Sequence, residues 1–262
     1  MGEGKRRQTL GFSKYLEQEY RRPKDQILLI GKNEMAAKKG TKKVKAKATA
    51  KPNLLKASAK EKIAKNVPDL SQQYNEIYNW YDQHRTKDLM EKEYLEIIIQ
   101  SIPKEGSILD LGCGTGEPLA KFFIEKGYRL TGIDVSQKMI ELCQERFPGQ
   151  NFLVADMRTI ALKKQFDAII AWDSFFHLSG IDQRAMFKIF VSHLKSGGIL
   201  AFTSGPSEGE VWNDNGGQNL YHASLSQEEY RRLLTEYHFE VLLHKIEDPD
   251  CGNHTVWVVA LK

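Results

Sequence analysis

The sequence predicts an α/β fold: a doubly wound, mostly parallel sheet of seven strands that ends in an antiparallel C-terminal hairpin, preceded by a basic N-terminal extension. Three observations predict it. From Asp69 onward, short apolar runs alternate regularly with amphipathic stretches, as strands joined by helices do. The apolar run Ile108-Leu109-Asp110-Leu111 passes directly into Gly112-Cys113-Gly114-Thr115-Gly116 and then into a helical pattern. The last two β-rich runs are joined only by the turn residues 248–253, too short a link for a crossover helix, so that pair must be antiparallel.

In order along the chain, helices are expected over 70–83 and 88–101, a strand over 107–111, a helix over 117–125 and a strand over 129–133. A helix over 137–146 and strands over 150–155 and 166–171 follow. Next come a helix over 182–193 and a strand over 198–204. Ser226 suits the cap of a helix reaching about residue 237, with Glu228 and Glu229 in its positive first turn. The strands over 240–246 and 255–261 complete the set.

Charge divides the chain into two domains. Residues 1–66 hold 19 of the 38 Lys and Arg against 6 acids, a net charge of +13, whereas 67–262 hold 19 against 28, a net charge of −9. The Lys/Ala-rich part of the extension has too little apolar surface to offset its ordering entropy, so it is expected to be largely disordered. Lysines within 38–65 suit nonspecific contact with nucleic acid through counterion release; the plainer reading is a solvated linker. No run approaches the roughly 20 apolar residues of a membrane span, and the start of the chain is charged, so no membrane partner is expected. Gly2 is followed by Arg6 where a myristoylation pattern needs Ser or Thr, so no lipid anchor is expected either. Cys113, Cys143 and Cys251 are scattered and lack a Cys-x-x-Cys pair, which points to a reducing, cytoplasmic setting without disulfides. The lone Cys251-x-x-His254 lacks a second ligand pair, so no metal is expected.

The glycine cluster lets the backbone turn sharply and approach a ligand, with helix N–H groups facing it. Asp134 ends the next strand, 18 positions after Gly116, where doubly wound nucleotide folds hold ribose hydroxyls with a carboxylate. Asp156 ends the strand after that and suits an adenine amino group. A dinucleotide fold uses the same sheet edge, but its Gly-x-Gly-x-x-Gly cradles a pyrophosphate, and here the spacing is Gly-x-Gly-x-Gly.

With its Leu109-Asp110-Leu111-Gly112-Cys113-Gly114-Thr115-Gly116, Thr131-Gly132-Ile133-Asp134-Val135-Ser136 and Val154-Ala155-Asp156-Met157-Arg158 blocks, the sequence from Gln73 onward resembles the class I methyltransferases that use S-adenosyl-L-methionine (AdoMet). The resemblance implies the Rossmann-like strand order 3-2-1-4-5-7-6 and AdoMet as the cofactor. It also implies that Gly112, Cys113, Gly114 and Gly116 face the methionyl part with Asp110 in support, and that Asp134 binds the ribose. Val135 and Met139 would flank the adenine, Asp156 and Met157 would read its edge, and Trp172 with Asp173 would line the mouth. A helix carrying Tyr74, Tyr78 and Tyr81 would form a lid. The extension before Asp69 has no counterpart in the family.

Methyl transfer is an in-line displacement in which the enzyme aligns the nucleophile and excludes water. The loop Ala171-Trp172-Asp173-Ser174-Phe175-Phe176-His177 lacks the Asn-Pro-Pro-Tyr type of motif found in amide methyltransferases, so the acceptor is expected to be an oxygen or nitrogen of a small molecule. A nucleic-acid or protein acceptor brought by the basic arm is the alternative. His177 is a candidate general base or loop-ordering residue. The stretch 205–224 is too long for a simple connection, and its amide and aromatic content suits a binding lid in which Tyr221 and His222 are further catalytic candidates.

Overall fold

The computed structural model describes residues 69–262. The expectations for the basic extension, including nucleic-acid contact through 38–65, lie outside the described residues. Among the described residues no helix is long and apolar enough to cross a membrane.

Seven strands form one sheet in the order β3-β2-β1-β4-β5-β9-β8. They are β1 Ser107–Leu111, β2 Arg129–Asp134, β3 Asn151–Val154, β4 Phe166–Ala171, β5 Leu194–Ser204, β8 Phe239–Asp248 and β9 His254–Leu261. The first five pair in parallel, and β9 runs antiparallel to both β5 and β8. This is the expected topology with one addition. Residues 205–224 are not an irregular excursion: they hold a separate antiparallel hairpin, β6 Gly209–Asn215 and β7 Gln218–Ser224. Its turn residues Gly216 and Gly217 have φ values of +61° and +84°, as a two-residue hairpin turn with positive φ at both positions requires.

The helices are α1 Ser71–His84, α2 Lys92–Ser101, α3 Leu119–Glu125, α4 Gln137–Arg146, α5 Gly180–His193 and α6 Gln227–Glu236. Serine hydroxyls start three of them: Ser136, Ser179 and Ser226 accept the backbone N–H three residues on and so satisfy an orphan donor of the first turn. β1 and β4 are buried along their whole length, as central parallel strands covered on both faces are. Alternate residues of each strand enter opposite cores. Ile108, Ala168, Ile170 and Trp172 pack with α2, α3 and α4. Leu109, Leu111, Ile169 and Ala171 pack with α5 and α6.

α1 belongs to neither core. It packs with the hairpin in a third cluster of Leu70, Ile77, Leu220, Tyr221 and Ala223. Polar contacts hold it over the carboxyl ends of the strands. Asn75 accepts the Ser136 hydroxyl at 2.8 Å and the Lys138 amide at 3.0 Å, and Arg146 grips Asp82 with two bonds of 2.7 and 2.6 Å. Gln218 of the hairpin donates to Glu76 at 2.7 Å.

Candidate active site

A cavity opens where β1, β2, β3 and β4 end, beneath α1. This is the edge at which open α/β sheets bind ligands. Gly112 and Gly114 come to it from the loop after β1, and Asp134, Val135 and Met139 from the end of β2 and the start of α4. Ala155, Asp156, Met157 and Arg158 follow β3, and Asp173, Ser174, His177 and Leu178 follow β4. Asp69, Leu70, Tyr74 and Tyr81 close it from α1 and the residues before it.

Gly112 has φ +78°, and a Cβ there would stand 2.3 Å from that of Ser174, so the loop admits only glycine. Ser174 donates to the Leu111 carbonyl at 2.5 Å and locks the two strand ends together. A Cβ on Gly114 would fill the space towards Tyr81, 3.4 Å from its ring. The Asp134 carboxylate is aimed by backbone donors: Gly114 N–H reaches one oxygen at 3.0 Å and Ser136 N–H the other at 2.8 Å. Burial raises its pKa, against those same amides, which favour the charged form. Asp110, one strand inward, is pushed to about 7 by burial and by the charge of Asp134.

Asp156 faces the cavity but is not free. Arg158 reaches its oxygens at 3.0, 2.9 and 2.6 Å, and these bonds outweigh burial and lower its pKa. Sequence reading did not single out Arg158, because a neighbouring side chain two residues away folds back only once the loop is built.

His177 lines the cavity with both ring nitrogens engaged. Its Nε2 lies 2.6 Å from the Tyr74 hydroxyl and its Nδ1 2.7 Å from the Tyr221 carbonyl. A carbonyl can only accept, so Nδ1 carries the proton and Nε2 accepts from Tyr74. Burial, then the neighbouring His222, lowers its pKa to about 3. The ring is a neutral brace between α1 and β7, which is poor standing for a general base.

Several residues singled out from sequence fall outside the cavity lining. Trp172 is only 4% exposed, and strand alternation turns its ring into the core beside Tyr94, 5.6 Å away. Tyr221 packs on Trp212 at 5.3 Å inside the hairpin cluster, and burial, then Glu210, pushes its hydroxyl to about 12. His222 stacks on Phe176 at 5.2 Å. Cys113 sits under the loop against Gly132, Gly116 is packed on Phe147, and Asp110 lies behind the loop. Of the lid tyrosines, Tyr74 and Tyr81 line the cavity, and Tyr78, a turn away from each, does not.

A second polar group adjoins the cavity; the sequence singled out its Asp173, but not the Arg85 and Glu91 that pair beside it. Asp173 meets His254 Nε2 at 3.1 Å and Arg85 Nη2 at 3.5 Å, and Arg85 also holds the buried Glu91 at 2.7 Å. Segments more than 80 residues apart converge here, from the end of α1, the end of β4 and the start of β9.

Residues 108–198 match the family described as methyltransferase domain. Residues 108–198 thus form a methyltransferase domain of the class I, S-adenosylmethionine-dependent kind. The Bacillus subtilis protein YqeM is 40% identical over 116 residues, 42% of this chain and 47% of that one, so the chain spans about half the length of this relative. The dTDP-3-amino-3,4,6-trideoxy-alpha-D-glucopyranose N,N-dimethyltransferase of Streptomyces venezuelae is 26% identical over 178 residues, covering 63% of this chain and 75% of that one. The 1,6-didemethyltoxoflavin-N1-methyltransferase of Burkholderia thailandensis superposes with a TM-score of 0.60 at 19% identity, over 84% of this chain and 93% of that structure. That likeness extends the methyltransferase fold to the region around the matched domain.

Proposed function

We propose that this methyltransferase transfers the methyl group of AdoMet to a nitrogen or oxygen of a small molecule. The observation that carries the reading is the Asp134 carboxylate, held by two backbone amides at the wall of the cavity beside a glycine loop that leaves room for a ligand. Its outward lone pairs accept the two ribose hydroxyls. Val135 and Met139 flank the adenine, and the Asp156–Arg158 pair meets its polar edge. The backbone at Gly112 and Gly114 approaches the methionyl part, with Tyr81 opposite. Bound there, AdoMet supplies an activated methyl on a sulfonium. The protein's own share is to seat the donor, hold the acceptor in line and exclude water, and Tyr74, Tyr81 and Leu70 form the water-excluding cover. The dimethyltransferase from Streptomyces venezuelae acts, by its name, on an amino sugar nucleotide, which supports a small-molecule acceptor.

Calorimetric titration with AdoMet, S-adenosylhomocysteine and NAD tests the cofactor. The first two are expected to bind, and a response to NAD alone overturns the reading. Asp134→Ala is expected to weaken S-adenosylhomocysteine by about 1–3 kcal/mol, the scale of lost charge-assisted hydrogen bonds; wild-type affinity in that variant refutes the ribose assignment.

A further inference from the structure

The sheet order places Asp134 and Asp156, which follow β2 and β3, on one side of β1, and Asp173, which follows β4, on the other. The cofactor's nucleoside half is assigned above to the first side. The wall around Asp173 is therefore where an acceptor meets the methyl group.

That wall is short of positive charge. Two carboxylates, Glu91 and Asp173, share one Arg85 nitrogen, and Glu91 holds it at 2.7 Å whereas Asp173 stands at 3.5 Å. Glu91 is fully buried, and its second oxygen has no partner among the described residues, so it keeps its claim on Arg85. What Asp173 retains is the His254 nitrogen at 3.1 Å and the Thr203 hydroxyl at 3.4 Å, both on Oδ1. Oδ2 pairs at 3.5 Å with the Arg85 nitrogen that Glu91 also holds. Two carboxylates on one guanidinium leave net negative charge at this cavity wall, which a bound cation offsets. Asp173 also has φ +49°, a left-handed backbone that a non-glycine residue adopts at a cost and that clusters at functional sites. Its amide donates to Thr203 at 2.9 Å and holds that conformation.

We propose that Asp173, steadied by His254 and Thr203 and left under-neutralised by the Glu91–Arg85 pair, is the acceptor-binding residue and selects a small-molecule amine in its ammonium form. The inference rests on the methyl-transfer reading above and narrows its acceptor from nitrogen or oxygen to nitrogen. The bound ammonium gives one proton to the Asp173 carboxylate, and the freed lone pair forms the N–C bond as the S–C bond breaks and S-adenosylhomocysteine leaves. Glu91 is a positioning residue, because it acts by withholding Arg85 from Asp173.

The test uses the full chain saturated with S-adenosylhomocysteine and two isosteric probes, benzylammonium and benzyl alcohol, titrated by ligand-observed NMR. Benzylammonium is expected to bind at least tenfold more tightly than the alcohol, on the scale of one charge-assisted hydrogen bond. Asp173→Asn is expected to reduce the preference to below twofold with S-adenosylhomocysteine binding retained. Glu91→Gln, at a residue outside the cavity lining, releases Arg85 towards Asp173 and is expected to reduce the preference severalfold, an effect that loss of packing alone does not produce. Equal affinity for the two probes, binding of neither, or a preference that survives either folded variant overturns the proposal. If wild-type protein does not bind S-adenosylhomocysteine, the methyl-transfer reading fails instead, and the probe comparison on the ligand-free protein then judges the ammonium site by itself.

Discussion

Asp110 and His177 carry opposite pH signatures, and single substitutions separate them. Burial and the charge of Asp134 raise Asp110 to about 7 from an ordinary value of 3.8. The native state therefore holds a proton that the unfolded chain releases, and the contribution of this residue to stability falls as pH rises from about 4 to 7. Asp110→Asn is expected to abolish that part of the slope and to raise stability at pH 8 by roughly 1–4 kcal/mol, given about 1.4 kcal/mol per pKa unit; denaturant melts at pH 5 and pH 8 measure it. An unchanged difference between the two pH values would show that Asp110 is ionised in the native state. His177 runs the other way. Its folded pKa near 3 lies below the ordinary 6.5, so unfolding takes up a proton and stability is lost as pH falls through that interval. Neither shift was legible in sequence, because desolvation belongs to the folded surroundings. The identity and spacing of Asp110 and Asp134 were legible, since strand ends and glycine turns are written locally.

At the scale of elements, the lid is a composite of α1 and the β6–β7 hairpin, joined through His177. Tyr74 donates to one nitrogen of that ring, and the other donates to the backbone of Tyr221 in β7. Tyr74→Phe leaves a buried acceptor unpaired, which costs about 1–3 kcal/mol. The loss is expected to fall on the lid alone. Hydrogen exchange of α1 amides should accelerate at least fivefold while β1 and β4 stay protected, and unchanged exchange in α1 would mean that the brace does not hold the lid. The hairpin itself shows why sequence reading stopped short. Val211, Trp212 and Tyr221 lie among polar residues, and the pair leaves Val211 and Trp212 each 50% exposed, so no strong alternation marks β6. The turn Asn215-Gly216-Gly217 was the available signal. The central strands read cleanly for the opposite reason: β1 and β4 are mostly apolar, broken within by Asp110 and Asp167, and their ends fall at the expected residues. Trp172 marks the limit of such reading, because one step of alternation beyond Ala171 decides between cavity and core.

Across the whole molecule, the residues assigned to the cofactor and its acceptor come from α1, from the loops after β1, β2, β3 and β4, and from the start of β9 at His254. The fold's cooperative unit and the site are thus the same object, and occupancy must register as global stability. A ligand that binds only the native state adds about 2.7 kcal/mol at one hundred times its Kd. For a domain of this size each kcal/mol moves Tm by roughly 2–4 °C, so S-adenosylhomocysteine at that excess is expected to raise Tm by roughly 5–10 °C. Asp134→Ala should need about 5–150 times more ligand for the same rise, as its expected loss of affinity dictates. NAD should leave Tm where it was. A rise with NAD and none with S-adenosylhomocysteine would mean that the glycine loop cradles a pyrophosphate, and the methyl-transfer reading would fall with the cofactor. A rise of equal size in the Asp134→Ala variant would keep the cofactor and move its ribose to another partner on the same sheet edge.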